Sequence, residues 1–131
     1  MNEFLKTYIR ARRIAKWDEP KTYELNFLKE KHLYEDMVII SPNYIKYIEN
    51  PSEQVQLVAV QEDGHSIQYI QNPSEQAQLA AVNQNGNSIQ FIQNPSEQVQ
   101  LAAVQEDGYS IKYIENPTDK VKQLFTKLKY T

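Results

Sequence analysis

The amino-acid sequence predicts an all-α fold, a short α-solenoid in which each repeat is one helix followed by a short helical turn. Three blocks, Asn50 to Gln71, Asn72 to Gln93 and Asn94 to Glu115, align without a gap at a 22-residue period. The first block shares 18 of its 22 residues with the third and 15 with the second, which marks duplication and not a chance likeness of amphipathic segments. Each block opens on a helix-start pattern and carries one glycine at the same place. Its apolar residues do not alternate, which disfavours a β-solenoid.

The elements follow in order. Residues 2–16 place Phe4, Tyr8, Ala11 and Ala15 on one side of a helix, Asp18-Glu19-Pro20 ends it, and another begins near Lys21. The repeat register reaches upstream to about Leu33, because Tyr44, Ile45, Tyr47 and Ile48 match Ser66, Ile67, Tyr69 and Ile70, with Pro42 where the glycine falls. In the first full repeat Asn50 reads as the N-cap, Pro51 as N1 and Glu53 as N3. Gly64, Gly86 and Gly108, the chain's only glycines, read as left-handed C-caps. The run His65 to Ile70 is too short for an independent helix and predicts one or two turns of α or 3₁₀ structure.

On a helical wheel Val55, Val58 and Ala59 share one face while Leu57 and Val60 share another. Two apolar faces need two neighbours, as in a stack where each repeat is completed by the next. Downstream, Asn116-Pro117-Thr118-Asp119 repeats the start signal. Val121, Leu124, Phe125 and Leu128 then form one apolar face opposite Lys120, Lys122, Lys127 and Lys129, the pattern of a terminal cap. The expectation is one domain over 1–131, with an N-terminal helical cap (1–41), solenoid repeats (42–115) and a C-terminal capping helix (116–131).

The repeat is cleanest at residues 91 to 114, Phe-Ile-Gln-Asn-Pro-Ser-Glu-Gln-Val-Gln-Leu-Ala-Ala-Val-Gln-Glu-Asp-Gly-Tyr-Ser-Ile-Lys-Tyr-Ile. It resembles uncharacterised α-helical tandem repeats of bacterial, bacteriophage and large-virus proteins. It is also similar to leucine-rich repeat variants, which alternate an α-helix with a 3₁₀ turn, and more distantly to HEAT repeats. The resemblance covers residues 42 to 119. It implies a right-handed helical stack used as a protein-binding scaffold, and it brings no defined ligand or catalytic residue.

Composition narrows the chemistry. The chain has no cysteine, so disulfides, thiolate zinc sites and cysteine nucleophiles are excluded, and a reducing cytoplasm is the expected compartment. The apolar runs are short, and neither a membrane span nor a signal peptide is read from them. Net charge is −3, unevenly spread. Residues 47–115 carry nine acidic side chains against one lysine, whereas 1–46 and 116–131 are mildly basic.

Candidate functional residues fall in four groups. Tyr47, Tyr69, Phe91 and Tyr113 recur once per repeat and predict an aromatic row about 10 Å apart. A recognition stripe and half-buried packing between repeats both fit, and Phe91 shows that the hydroxyl is dispensable within the row. Glu62-Asp63 and Glu106-Asp107 stand at helix ends two repeats apart, with Gln84-Asn85 between, so they cannot share one metal or acid–base site. Solvated helix ends and an acidic docking face remain open. His65, Asn87 and Tyr109 occupy the variable position. Lys6, Arg10, Arg13 and Trp17 line one side of the first helix and are the candidate nucleic-acid contacts.

No His pair, glycine-rich phosphate loop or nucleophile elbow is present, so neither catalysis nor a cofactor, metal or small-molecule substrate is expected. The predicted function is non-enzymatic protein binding through Glu62, Asp63, His65, Tyr69, Asn87, Phe91, Glu106, Asp107, Tyr109 and Tyr113. Gln54, Gln56, Gln68 and their repeats would line the surface, and the partner would present a basic groove. The viral side of the resemblance suggests a refinement, a phage-encoded inhibitor of a host or defence protein whose acidic array mimics nucleic acid. Direct nucleic-acid binding through the basic N-terminal stripe and the lysine-rich C-terminal helix is the rival expectation.

Overall fold

The computed structural model describes residues 26, 28, 29 and 32–130. The expected helices over 2–16 and from Lys21, and with them Lys6, Arg10, Arg13 and Trp17, lie outside the described residues. Among the described residues from Tyr34 on, five α-helices alternate with four 3₁₀ helices: α1 (Tyr34–Ile40), η1 (Pro42–Tyr47), α2 (Glu53–Glu62), η2 (Gly64–Tyr69), α3 (Glu75–Gln84), η3 (Gly86–Phe91), α4 (Glu97–Glu106), η4 (Gly108–Tyr113) and α5 (Asp119–Lys129). No strand occurs among the described residues. Each α-helix packs on the next α-helix and each 3₁₀ helix on the next 3₁₀ helix, giving a two-layered stack of the predicted solenoid kind.

The helix starts differ from the sequence reading. Ser52, not Asn50, is the N-cap of α2: its backbone is extended and its hydroxyl accepts from the Val55 amide at 3.2 Å. Ser74, Ser96 and Thr118 do the same for Ala77, Val99 and Val121. Asn50 instead takes φ 49° and Asn94 φ 50°, left-handed turns that a short polar side chain tolerates. Glu53 is therefore at N1, where its charge still favours the helix dipole.

The glycines are also not left-handed caps, since no described glycine has positive φ. Helix α2 ends on Asp63, whose backbone is extended at φ −153°, and the Asp63 carboxylate accepts from the His65 amide at 3.0 Å to start η2. Asn85 and Asp107 repeat this hinge for η3 and η4. One side chain thus ends an α-helix and caps the 3₁₀ helix after it. Asp63→Ala should lower stability by about 0.5–2 kcal/mol in a chemical-denaturation curve. Asp63→Asn should change it little, because Asn85 already fills this role.

Glycine is required here by proximity. A Cβ at Gly64 would lie 2.7 Å from the Ala81 carbonyl oxygen and 2.9 Å from Ser88 Oγ, and the Gly64 amide donates to Gln84 Oε1 at 2.9 Å. Beside it run columns of small side chains with no exposure, Ala59, Ala81 and Ala103 in the α layer and Ser66, Ser88 and Ser110 in the 3₁₀ layer. The core between layers is Val60, Val82 and Val104 with Ile45, Ile67 and Ile89.

The buried arc of α2 is Val55, Gln56, Ala59 and Val60, spanning about 140° at about 100° per residue. Leu57 and Val58, which the wheel placed on inward faces, are only half-buried. In α5 the predicted face holds, with Val121 fully buried, Leu124, Phe125 and Leu128 packed against the core, and the four lysines exposed.

Candidate protein-binding surface

The aromatic row is built by the 3₁₀ layer. Tyr47, Tyr69, Phe91 and Tyr113 are each the last residue of a 3₁₀ helix, followed by an extended, buried isoleucine that anchors the segment. Tyr69 and Tyr113 are 37% and 39% exposed, and Tyr47 and Phe91 are half-buried. The rings therefore pack and face solvent at once.

Two grooves open beside them, of about 680 and 520 Å³. The first is lined by Asn50, Gln56, Tyr69 and Asn72, the second by Asn94, Gln100, Tyr113 and Asn116, the same register positions two repeats on. The groove thus recurs in the first and third repeats. Its floor is a buried glutamine, which corrects the expectation that Gln56 lines the outer surface. Gln56 Nε2 donates to the Pro51 carbonyl at 3.0 Å and its Oε1 accepts from the Ser74 amide at 2.9 Å, tying one helix start to the next. Gln100 makes the equivalent pair with Pro95 and Thr118. Gln54 and Gln68 are exposed, and Gln68 folds back to donate to the His65 carbonyl.

The acidic pairs divide by role. Glu62 and Glu106 are exposed, whereas Asp63 and Asp107 are half-buried and engaged as 3₁₀ caps. None of the four lines either of the tyrosine grooves. Glu106 and Asp107 belong instead to a cleft of about 510 Å³ at the C-terminal end, with Tyr109, Phe125, Leu128 and Lys129.

The variable position divides too. The His65 ring meets Phe91 edge-on at 5.4 Å between centroids, and Asn87 is likewise half-buried, so both are packing positions. Tyr109 is 77% exposed because no further 3₁₀ helix follows η4 among the described residues.

Sequence reasoning missed the lysines on the aromatic row. Lys46 Nζ lies 5.2 Å from the Tyr47 ring centroid and 5.6 Å from that of Tyr69, and Lys112 Nζ lies 5.0 Å from Tyr113. The signal was available: both lysines directly precede a row aromatic. Among the described residues no group of three or more His, Asp and Glu side chains could hold a metal ion, and no helix is long and apolar enough to cross a membrane. Comparison with protein-family models, curated proteins and solved structures gives no match.

Proposed function

We propose that the protein is a non-enzymatic protein-binding module that docks through its aromatic, acidic repeat surface onto a partner with a basic face. The observation that carries this reading is the recurrence of one groove at register-equivalent positions, each with a partly exposed tyrosine, on a segment that is strongly acidic. A rigid, evenly spaced surface suits recognition of an extended or repeating partner. Acidic charge around it would speed encounter with a basic one. A cysteine-free chain suits a cytoplasmic setting. The narrower idea of a phage-encoded inhibitor rests on the resemblance and adds no residue to this surface.

The test is a fourfold substitution, Glu62→Gln, Asp63→Asn, Glu106→Gln and Asp107→Asn. Because Asn85 caps η3 as Asp63 caps η2, the fold should survive, and circular dichroism checks that. Association with the partner should slow, and the difference should shrink with added salt, since such charges are screened within about 10 Å at 0.1 M. DNA and RNA should not be retained even at low salt. Tight, salt-sensitive nucleic-acid binding by the unmodified protein would overturn the proposal and favour Lys6, Arg10, Arg13 and Trp17.

A further inference from the structure

Lys46 is a cation seated on two rings that belong to successive repeats, Tyr47 and Tyr69. Its register equivalents are Gln68, Gln90 and Lys112. Gln68 and Gln90 carry neutral amides, each turned back to donate to a carbonyl of its own 3₁₀ helix, His65 and Asn87, at 3.0 Å. Between Tyr69 and Phe91, and again between Phe91 and Tyr113, the register thus repeats the positions of the Lys46 seat but with a neutral glutamine, turned away, in place of the lysine. Phe91 lacks the hydroxyl, so the ring face is the shared feature, and a ring face attracts cations. Over 46–115 two lysines, Lys46 on Tyr69 and Lys112 on Tyr113, stand against nine acidic residues, so the net charge of the segment favours a further cation there.

We infer that the partner's recognised element is an extended basic segment whose Lys or Arg side chains enter these two seats, one between Tyr69 and Phe91 and one between Phe91 and Tyr113. The inference rests on the docking reading and adds a spacing. Stacked helices lie about 8–10 Å apart, and an extended polyproline-II segment advances about 3.1 Å per residue with about three residues per turn, so side chains three apart share a face. One repeat therefore corresponds to about three residues, giving basic-x-x-basic.

The experiment titrates the unmodified protein with synthetic peptides of equal charge that carry two lysines, adjacent, three apart or five apart, by fluorescence anisotropy. The three-apart peptide should bind at least about tenfold more tightly than the others, and acetylating its lysines should abolish binding. Gln68→Lys with Gln90→Lys fills both seats from within and should remove the preference. Gln76→Lys with Gln98→Lys adds the same charge at exposed positions outside the row and should leave the preference intact. Equal affinity for all spacings, or equal loss in the two double variants, would mean that net charge alone attracts basic chains and would sink the inference. A partner whose association still slows in the fourfold acidic variant would then leave the docking reading standing, whereas its absence would remove both.

Discussion

Val82→Asp should leave the protein without a cooperative fold. Val82 lies in α3, the central α-helix of the described stack, has no exposed surface, and belongs to the column Val60, Val82, Val104 that joins the two layers. A carboxylate there loses its hydration among apolar side chains, at a cost of several kcal/mol even after partial relaxation. Total stability of a small domain is about 5–15 kcal/mol. Each repeat here also takes part of its core from its neighbours, so damage at the centre is not contained. Far-UV circular dichroism should show the helical signal of the unmodified protein lost, with no melting transition. The adjacent Asn83 is exposed, and Asn83→Asp should melt as the unmodified protein does. A soluble, fully helical Val82→Asp protein would mean that the stacking face has been misassigned.

The period, the alternation of helix and short turn, and the terminal apolar face of α5 were legible in the sequence because each depends on local pattern. The misplacements came where two local readings were equally good and a neighbour decided between them. Asn-Pro-Ser-Glu offers two caps, and the serine prevails because its hydroxyl reaches the Val55 amide while the asparagine makes the turn before it. Glycine after a helix suggests a left-handed residue, and only the position of Ala81 in the next repeat shows that the need is for space. Gln56 reads as an outward polar residue. It turns inward because the Pro51 carbonyl and the Ser74 amide need partners at a junction visible only once helices are stacked.

The candidate site was legible in part. The row Tyr47, Tyr69, Phe91 and Tyr113 is where the period put it, half-buried yet open to solvent. The acidic pairs were read as a unit and are not one. The exchange of Asp63 and Asp107 for Asn85 at the middle repeat was the available clue: an amide keeps the accepting oxygen and drops the charge, which is what a cap allows. The seating of Lys46 across two rings depends on how far apart successive 3₁₀ helices lie, and no single repeat contains that distance.

The same substitution at equivalent glycines should have opposite effects. A Cβ at Gly86 would stand 2.7 Å from the Ala103 carbonyl oxygen, with the Asp107 Cβ and amide nitrogen at 3.1 and 3.2 Å. Two of these three are backbone atoms of the next repeat, which can yield only if α4 moves away from η3. Gly86→Ala should therefore cost about 1–3 kcal/mol or more, the range of overpacked interiors. At Gly108 nothing lies within 4 Å of the added carbon, and the backbone is not left-handed. Gly108→Ala should consequently raise stability by about 0.4–1 kcal/mol, chiefly by restricting the unfolded chain. Urea denaturation of both variants beside the unmodified protein gives the comparison, with unchanged slope as the check that only stability moved. If the glycines served as left-handed caps, both variants would be destabilised alike, so equal losses would refute close approach as their reason. A loss confined to Gly86 would show that the stacking distance is set where one repeat's glycine meets the next repeat's carbonyl.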